Sequence, residues 1–253
     1  MSKRILIIGF FLLKATAFFA QTERVEYIPT FDRKLIHYGF YLGINQNDFK
    51  LNFTDKQIPI PGSPGIFYDK PNITVLVNGG FNVGLIADLR LHKNLNLRLE
   101  PGLVSNTKRI LFNHLNTSTS SQDSIREIGS TYLHVPFVFK FSTNRYKNIR
   151  PYILGGVSYD YNFSSNEKNQ DDNLAQEFRM KTHNFMYEIG VGVDFYLYYF
   201  KFSPSIRGVF AINNEIKYDD PRYDEYNELI PSKWTDPINF LGTRGIFLNF
   251  AFE

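Results

Sequence analysis

The sequence of 253 residues predicts an exported all-β protein, in which a signal peptide precedes one eight-stranded antiparallel up-and-down transmembrane β-barrel. Three observations predict this fold class. The chain opens with an export signal, eight later segments alternate apolar and polar residues, and the connections between these segments are alternately long and short. Alternation of this kind is typical of a membrane barrel, because lipid-facing and lumen-facing side chains follow each other along every strand.

The first twenty residues have the three parts of a secretory signal. Positive residues precede an apolar run over residues 5–13, and small residues follow as far as Ala20. The run is shorter than the roughly 20 residues that a membrane-spanning helix needs, and Lys14 interrupts it. We therefore expect a signal peptide over residues 1–20, a periplasmic N-terminal segment over 21–35 and an outer-membrane barrel over 36–253.

Composition narrows the possible functions. The chain has no cysteine, which excludes disulfides, thiolate metal sites, a catalytic thiol and a lipidated N-terminal cysteine. Three of the 28 Lys and Arg residues lie in the signal, so 25 remain against 25 Asp and Glu, and this balance gives no reason to expect a nucleic-acid partner. Aromatic residues make up 17% of the chain, as a barrel with aromatic belts at both membrane interfaces would require.

The eight alternating segments are each close to the roughly 9–11 residues of a tilted membrane strand. They cover residues 36–45, 81–91, 95–104, 131–141, 152–163, 185–196, 200–211 and 245–252. In the first segment, every second residue from Ile36 to Ile44 is apolar and bulky, whereas His37, Gly43 and Asn45 lie on the other face. A soluble barrel or sandwich would also alternate, but it would turn its apolar face inward.

The connections between these segments differ sharply in length. The second, fourth and sixth are short, at residues 92–94, 143–148 and 197–199. The four others are long, at residues 46–80, 105–130, 164–184 and 212–244. Outer-membrane barrels have short periplasmic turns and longer outer loops. We therefore expect periplasmic termini and four long extracellular loops in a bacterial outer membrane.

Ionisable residues recur on the polar face of the predicted strands. They are Asp88, Arg90, Arg98, Glu100, His134, Lys140, Asp160, Glu188, Asp194 and Arg207. The interior of an eight-stranded barrel is just wide enough for side chains to fill, and a buried charge requires a partner. Both signs occur in similar number, so we expect a structural network of paired charges in the lumen and no general porin.

An active site on the lumen wall is the competing interpretation. His134, Ser158 and Glu188 could be drawn as a nucleophilic triad. No spacing distinguishes these three residues, and the sequence lacks phosphate-binding, nucleophile-elbow, metalloprotease and calcium-loop motifs. We therefore expect no enzyme, no catalytic residue, no cofactor and no metal, and no small-molecule substrate.

Two further features have structural interpretations. We expect the glycines of the polar face to make room for long charged side chains, although sheet curvature is an equal explanation. The aromatic cluster of Tyr196, Tyr198, Tyr199 and Phe200 lies at a predicted short turn, where it is expected to form part of an interfacial girdle.

Two stretches resemble the PorT family of Bacteroidetes, called SprT in gliding species. They are Tyr-Leu-His-Val-Pro-Phe-Val-Phe-Lys at residues 132–140 and Arg-Pro-Tyr-Ile-Leu-Gly-Gly-Val at residues 150–157. The length and the eight-strand layout, which is that of OmpA- and OmpX-like barrels, are similar too. The resemblance implies an outer-membrane component of the type IX secretion system that is needed for export of proteases and gliding adhesins. It supplies no catalytic residues.

The resemblance also implies partners: outer-membrane lipid and other components of the type IX system. Two alternatives stay open. One is a structural or adhesive barrel of the OmpX type, which would use its loops alone. The other is a lipid-modifying outer-membrane enzyme, which would need His134 or Ser158.

Overall fold

The computed structural model describes most of the chain beyond the proposed signal peptide. The described residues are 25–54, 58–59, 67–68, 72–113, 124–169, 178–220, 222–223, 225, 227, 229–230 and 234–253. The signal predicted for residues 1–20 lies outside them.

One antiparallel sheet contains ten strands. They are β1 (Ile36–Phe53), β2 (Ile73–Val77), β3 (Gly79–His92), β4 (Leu95–Leu99), β5 (Gly102–Phe112), β6 (Ile125–Ser142), β7 (Ile149–Asn162), β8 (His183–Tyr196), β9 (Lys201–Ala211) and β10 (Ile238–Phe252). Short interruptions separate β2 from β3 and β4 from β5, so the ten strands occupy eight positions. A 3₁₀ helix (Phe31–Arg33) precedes β1, and two ladders of two-residue strands lie in the long connections.

The sheet returns to its first strand. β1 pairs with β10 along one edge, from Phe40 opposite Phe252 onward, and with β3 along the other, from Ile36 opposite Leu89 onward. Between them, β10, β9, β8, β7 and β6 follow each other as antiparallel neighbours, and β6 pairs with both β4 and β5. The pairings therefore describe an eight-position up-and-down barrel, as the alternation predicted.

Each face of the sheet carries the side chains that a membrane barrel requires. Leu85 is 65% exposed and Val191 is 57% exposed, whereas Asp88 and Glu188 are at most 2% exposed. A soluble barrel would show the reverse, so the apolar exterior distinguishes the two alternatives. No helix among the described residues is long and apolar enough to cross a membrane.

The strands run further into the long connections than the alternation predicted. β1 continues to Phe53, β5 to Phe112, β6 begins at Ile125 and β10 at Ile238, and β2 lies wholly in a predicted loop. The prediction failed there because the outward face changes from apolar to polar, which removes the amphipathic contrast. Gln46 pairs with Ile246, and the next outward pair is Asp48 with Arg244, an exposed ion pair of 2.7 Å. This pair marks the end of the lipid-facing belt.

The extended ends of the strands enclose an apolar core of their own. Its members are Phe49, Ile110, Phe112, Ile128, Phe178, Met180, Ile216, Trp234, Ile238 and Leu241. These residues come from four strands and from three segments outside the strands. The core therefore forms a cap, the apolar cap, over the long-loop end of the barrel.

Replacing Val191 by Arg tests the lipid-facing orientation. Val191 lies near the middle of β8, where an outward charge would have to enter the hydrocarbon region. We expect a loss of about 2–4 kcal/mol in unfolding free energy, measured by urea denaturation in lipid vesicles. Tyr199→Arg, at an 86% exposed turn position, is the control and should cost at most about 1 kcal/mol. Equal effects of the two substitutions would contradict the orientation.

Candidate functional site: a filled and closed barrel lumen

Arg98 is the centre of the charge network at the short-turn end of the lumen. Its guanidinium contacts Asp88 at 2.9 Å, Glu100 at 3.4 Å and the side chain of Glu253. All four side chains are at most 1% exposed. Lys201 pairs with the same Glu253 carboxylate at 2.9 Å, so one network joins β3, β4, β9 and the residue after β10.

Lys140 and Asp194 form a second buried pair beside this centre. The Lys140 ammonium donates to both carboxylate oxygens of Asp194 at 2.7 and 2.8 Å. The Ser203 hydroxyl also donates to Asp194, at 2.6 Å, and the Tyr152 ring lies 4.0 Å from the ammonium. Both charges are therefore paired and hydrogen-bonded, which buried ions require.

The third group lies in the middle of the lumen. Arg207 contacts Glu100 through both terminal nitrogens and Glu188 at 3.8 Å. His134 lies between two carboxylates, with Nδ1 2.6 Å from Asp160 and Nε2 3.1 Å from Glu188. Both ring nitrogens are thus in contact with carboxylates.

The nucleophilic triad considered from the sequence is not assembled. His134 has no ring nitrogen left for Ser158, and the buried Ser158 hydroxyl makes no hydrogen bond. A serine nucleophile requires a base within hydrogen-bond reach. His134 and Glu188 are in contact, but they belong to the charge network.

Nine of the ten ionisable residues expected in the lumen are buried there, and Arg90 is half-buried at the short-turn end. Sequence reasoning missed several others. Lys201 sits at the first position of β9, and Glu253 follows the last strand. Lys108 and Glu215 lie in segments that were predicted to be loops. The period-two signal ends before Lys108, Glu215 and Glu253, so no local pattern identified them, whereas Lys201 lies on the polar face of the predicted segment 200–211.

Some inner glycines make room for tyrosine rings. A Cβ on Gly102 would lie 2.2 Å from the Tyr41 hydroxyl, and one on Gly192 would lie 2.4 Å from the Tyr152 ring. The expectation that glycines accommodate charged side chains is confirmed at two other positions. A Cβ on Gly39 would lie 2.8 Å from the Glu253 side chain, and one on Gly190 would lie 2.9 Å from the Arg207 side chain.

The N-terminal segment closes the short-turn end. Asp32 accepts a hydrogen bond from the Tyr196 hydroxyl at 2.7 Å and lies 3.3 Å from the Arg150 guanidinium. The Phe31 ring stacks on His37 with 4.3 Å between centroids, and the Phe31 carbonyl lies 2.7 Å from the His37 ring nitrogen. We refer to residues 25–35 as the N-terminal plug.

Tyr196 was expected in an interfacial girdle, and this prediction was wrong. Its ring is 1% exposed and faces the lumen, where it contacts Asp32 of the N-terminal plug. Tyr198 and Tyr199 are 67% and 86% exposed, and Phe200 is 39% exposed. Tyr196 ends the predicted segment 185–196 in phase with Asp194, so alternation alone placed it in the lumen. The tight turn at residues 197–200 breaks the alternation only for the residues that follow, such as Tyr198 and Tyr199.

A layer of asparagines and the apolar cap close the other end. Asn82 donates to Asn249 at 2.7 Å, and Asn106 donates to Asn45 at 3.3 Å. Above this layer the Lys108 ammonium donates to the Thr243 hydroxyl at 3.1 Å.

Glu215 links this polar layer to the apolar cap. Its carboxylate accepts from the backbone N–H and the hydroxyl of Thr243, at 2.6 and 2.8 Å. Burial raises the pKa of the Glu215 carboxyl, although the nearby Lys108 charge and the hydrogen bonds from Thr243 oppose that shift. The lumen is therefore filled from the N-terminal plug to the apolar cap. Among the described residues, no group of three or more His, Asp and Glu is placed to hold a metal ion.

A family model, described as outer membrane protein beta-barrel domain, matches residues 19–217. The chain belongs to this family. The protein is therefore a bacterial outer-membrane β-barrel, and its apolar exterior faces that membrane's lipid. No curated protein matches the sequence.

Several solved outer-membrane proteins are similar to this chain over most of its length. OprG from Pseudomonas aeruginosa is 14% identical with a TM-score of 0.42, over 86% of this chain and 93% of OprG. Neisserial surface protein A is 8% identical with a TM-score of 0.40, over 84% of this chain and 95% of that protein. The protease OmpT from Escherichia coli is 12% identical with a TM-score of 0.33, over 92% of this chain and 98% of OmpT.

Breaking the Lys140–Asp194 pair tests the lumen network. Lys140→Met leaves the Asp194 carboxylate buried without its main partner, and we expect a loss of about 3–5 kcal/mol in unfolding free energy. The double variant Lys140→Met/Asp194→Leu should recover much of that loss, because no lone charge remains. Arg109→Ala is the matched control: its pair with Glu127 is 3.0 Å long but about half exposed, so it should cost less than about 1 kcal/mol. A single variant as stable as the double would contradict the network.

The filled lumen predicts that the purified barrel conducts no solute. In planar bilayers we expect no stepwise conductance from residues 21–253, because side chains occupy the interior of an eight-stranded barrel. Deleting residues 21–33 should still give none, since the Arg98 network lies behind the N-terminal plug. Reproducible conductance steps in either form would overturn this view.

Proposed function

We propose that this outer-membrane barrel is a non-enzymatic component of the type IX protein secretion system, needed for export of cargo such as proteases and gliding adhesins. Its termini and short turns face the periplasm, and its long loops face outward. It contacts outer-membrane lipid and other components of that system.

The structural observation that supports the proposal is the closure of the lumen. Paired charges fill the interior, the N-terminal plug covers one end and the apolar cap covers the other. Such a barrel cannot act as a conduit, so its contribution must come from the surfaces that it presents. A component that supports secretion without transporting cargo through itself fits these surfaces.

The stretches that carry the PorT resemblance have roles in the barrel. In residues 132–140, Phe137 and Phe139 are exposed to lipid, whereas His134 and Lys140 join the charge network. In residues 150–157, Arg150 binds Asp32 of the N-terminal plug. These residues build a filled barrel, and the secretion role rests on the resemblance.

Deleting the gene in the source bacterium tests the function directly. We expect type IX cargo to disappear from the culture medium and to accumulate in cell extracts, measured by immunoblotting of a secreted protease. Expression of the wild-type chain should restore secretion. Lys140→Met/Asp194→Leu should restore it equally if the lumen is purely structural, while normal secretion in the deletion strain would refute the proposal.

Single cysteines test the proposed orientation, because the native chain has none. Asn169→Cys, in the long connection after β7, should react with a membrane-impermeant maleimide on intact cells. Tyr199→Cys, at a short turn, should react only after the outer membrane is permeabilised. Labelling in the opposite order would invert the orientation.

A structural or adhesive barrel of the OmpX type is the second candidate. The apolar cap favours it, since buried contacts hold the bases of the long connections together and would present them as a fixed surface. In that case the deletion strain would secrete normally but would lose attachment to surfaces.

A lipid-modifying enzyme is a weaker alternative, because His134 and Ser158 do not form a catalytic pair. His134→Gln with unchanged secretion and unchanged lipid composition would count against it.

A further inference from the structure

A cleft of about 600 Å³ lies on the outside of the barrel, where β7 and β8 meet the long connection between them. Its lining includes Tyr161, Glu167, Lys168, Thr182, His183 and Lys217. Neither the charge network nor the apolar cap includes these residues. The cleft is therefore a feature that the proposed function does not use.

The walls of the cleft are fixed by contacts within the chain. The Tyr161 and His183 rings meet edge to face at 5.4 Å, and the Tyr159 hydroxyl shares a hydrogen bond of 2.6 Å with the His183 ring. The Ser165 and Thr182 hydroxyls are hydrogen-bonded at 2.8 Å. The aromatic rings and the hydroxyl groups are therefore held in place before any ligand arrives.

The charges of the cleft are two lysines and one glutamate. The backbone at Lys217 is held in place by a hydrogen bond, because its N–H donates to the Arg179 carbonyl at 3.0 Å. Lys168 is exposed on the opposite connection. Glu167 accepts the Thr182 N–H at 2.8 Å, and this hydrogen bond, more than the nearby lysine charge, lowers the pKa of the carboxyl. The cleft thus offers two cationic donors and one ionised acceptor.

The cleft continues into the lipid-facing surface. Along β8 the outward residues after His183 are Phe185 and Tyr187, which are 54% and 48% exposed. The Phe185 ring packs against Tyr159 at 5.6 Å, and the Tyr187 ring stacks on Phe210 at 5.1 Å. A polar cleft therefore opens directly above an apolar, aromatic strip.

We infer that this cleft binds the headgroup of a phosphorylated glycolipid of the outer leaflet. A sugar ring packs against Tyr161 and His183, with its hydroxyls donating to Glu167, and a phosphate lies between Lys168 and Lys217. The acyl chains lie along the strip of Phe185 and Tyr187. This inference rests on the proposed orientation, which places the cleft at the outer leaflet, and it does not depend on a role in secretion.

The mixed chemistry of the cleft selects this ligand class. A glycerol or ethanolamine phospholipid headgroup would use the lysines and Glu167, but it has no ring to pack against Tyr161 and His183. A neutral sugar would leave two ammonium groups without a counter-charge. A sugar that carries both hydroxyls and phosphate pairs with every group, and aromatic faces accept its C–H surface.

Lipid retention by the purified barrel tests the inference. The barrel is reconstituted into nanodiscs that contain an acylated glucosamine disaccharide bisphosphate, extracted into mild detergent and weighed by native mass spectrometry. We expect one retained glycolipid per wild-type chain. Lys168→Ala/Lys217→Ala should reduce retention at least about fivefold, because both phosphate contacts are lost. Lys34→Ala/Lys50→Ala, at two exposed lysines outside the cleft, should leave it unchanged.

Further arms separate the competing explanations. Tyr161→Leu keeps an apolar side chain but removes the stacking ring, and it should lower retention without changing the heat-shifted gel mobility that reports a folded barrel. Equal retention of phosphatidylglycerol would overturn the sugar assignment. Equal binding of the same disaccharide bisphosphate without acyl chains would overturn the lipid assignment. If Lys168→Ala/Lys217→Ala retained the glycolipid as the wild type does, the cleft would not be the binding site, whatever the secretion assay shows.

Discussion

The whole architecture depends on neutralising ionised side chains that the barrel encloses. A buried charge without a partner costs several kcal/mol, so each strand must deliver its ionisable residue opposite one of the other sign. Arg98 illustrates the constraint, because its three carboxylate partners come from β3, the β4–β5 junction and the residue after β10. A shift of one residue in a single strand would turn its ionisable residues towards lipid. The charge network therefore specifies register as well as filling the lumen.

The apolar exterior and the charged interior together determine which surfaces of the barrel remain available for contacts. The apolar exterior places the barrel in the outer membrane, while the filled interior leaves no path through it. The N-terminal plug at one end and the apolar cap at the other extend this closure. Contacts with partners or lipid are consequently limited to the two ends and the outer wall.

Local alternation was sufficient to predict the barrel and the facing of its central residues. His134 and Lys140 were assigned to the lumen because they alternate with bulky apolar neighbours on one regular strand. Their partners could not be predicted, since pairing depends on register between strands that are distant in sequence. Lys108 and Glu215 were missed for a different reason: they lie beyond the lipid belt, where an outward polar residue no longer contrasts with an inward one. Tyr196 was misassigned because it was grouped with the turn aromatics that follow it, although it lies in phase with Asp194 at the end of a regular strand.

The strands extend beyond the Asp48–Arg244 pair, so the barrel wall is taller than its lipid-facing belt. With a rise of about 3.3 Å per residue, the stretch of β1 from residue 49 to 53 adds roughly 17 Å of strand. Because these residues are paired with β10 and packed over the apolar cap, the barrel wall continues as a stiff collar above the lipid headgroups. A macromolecule that recognises the far rim can dock there without displacing a single lipid.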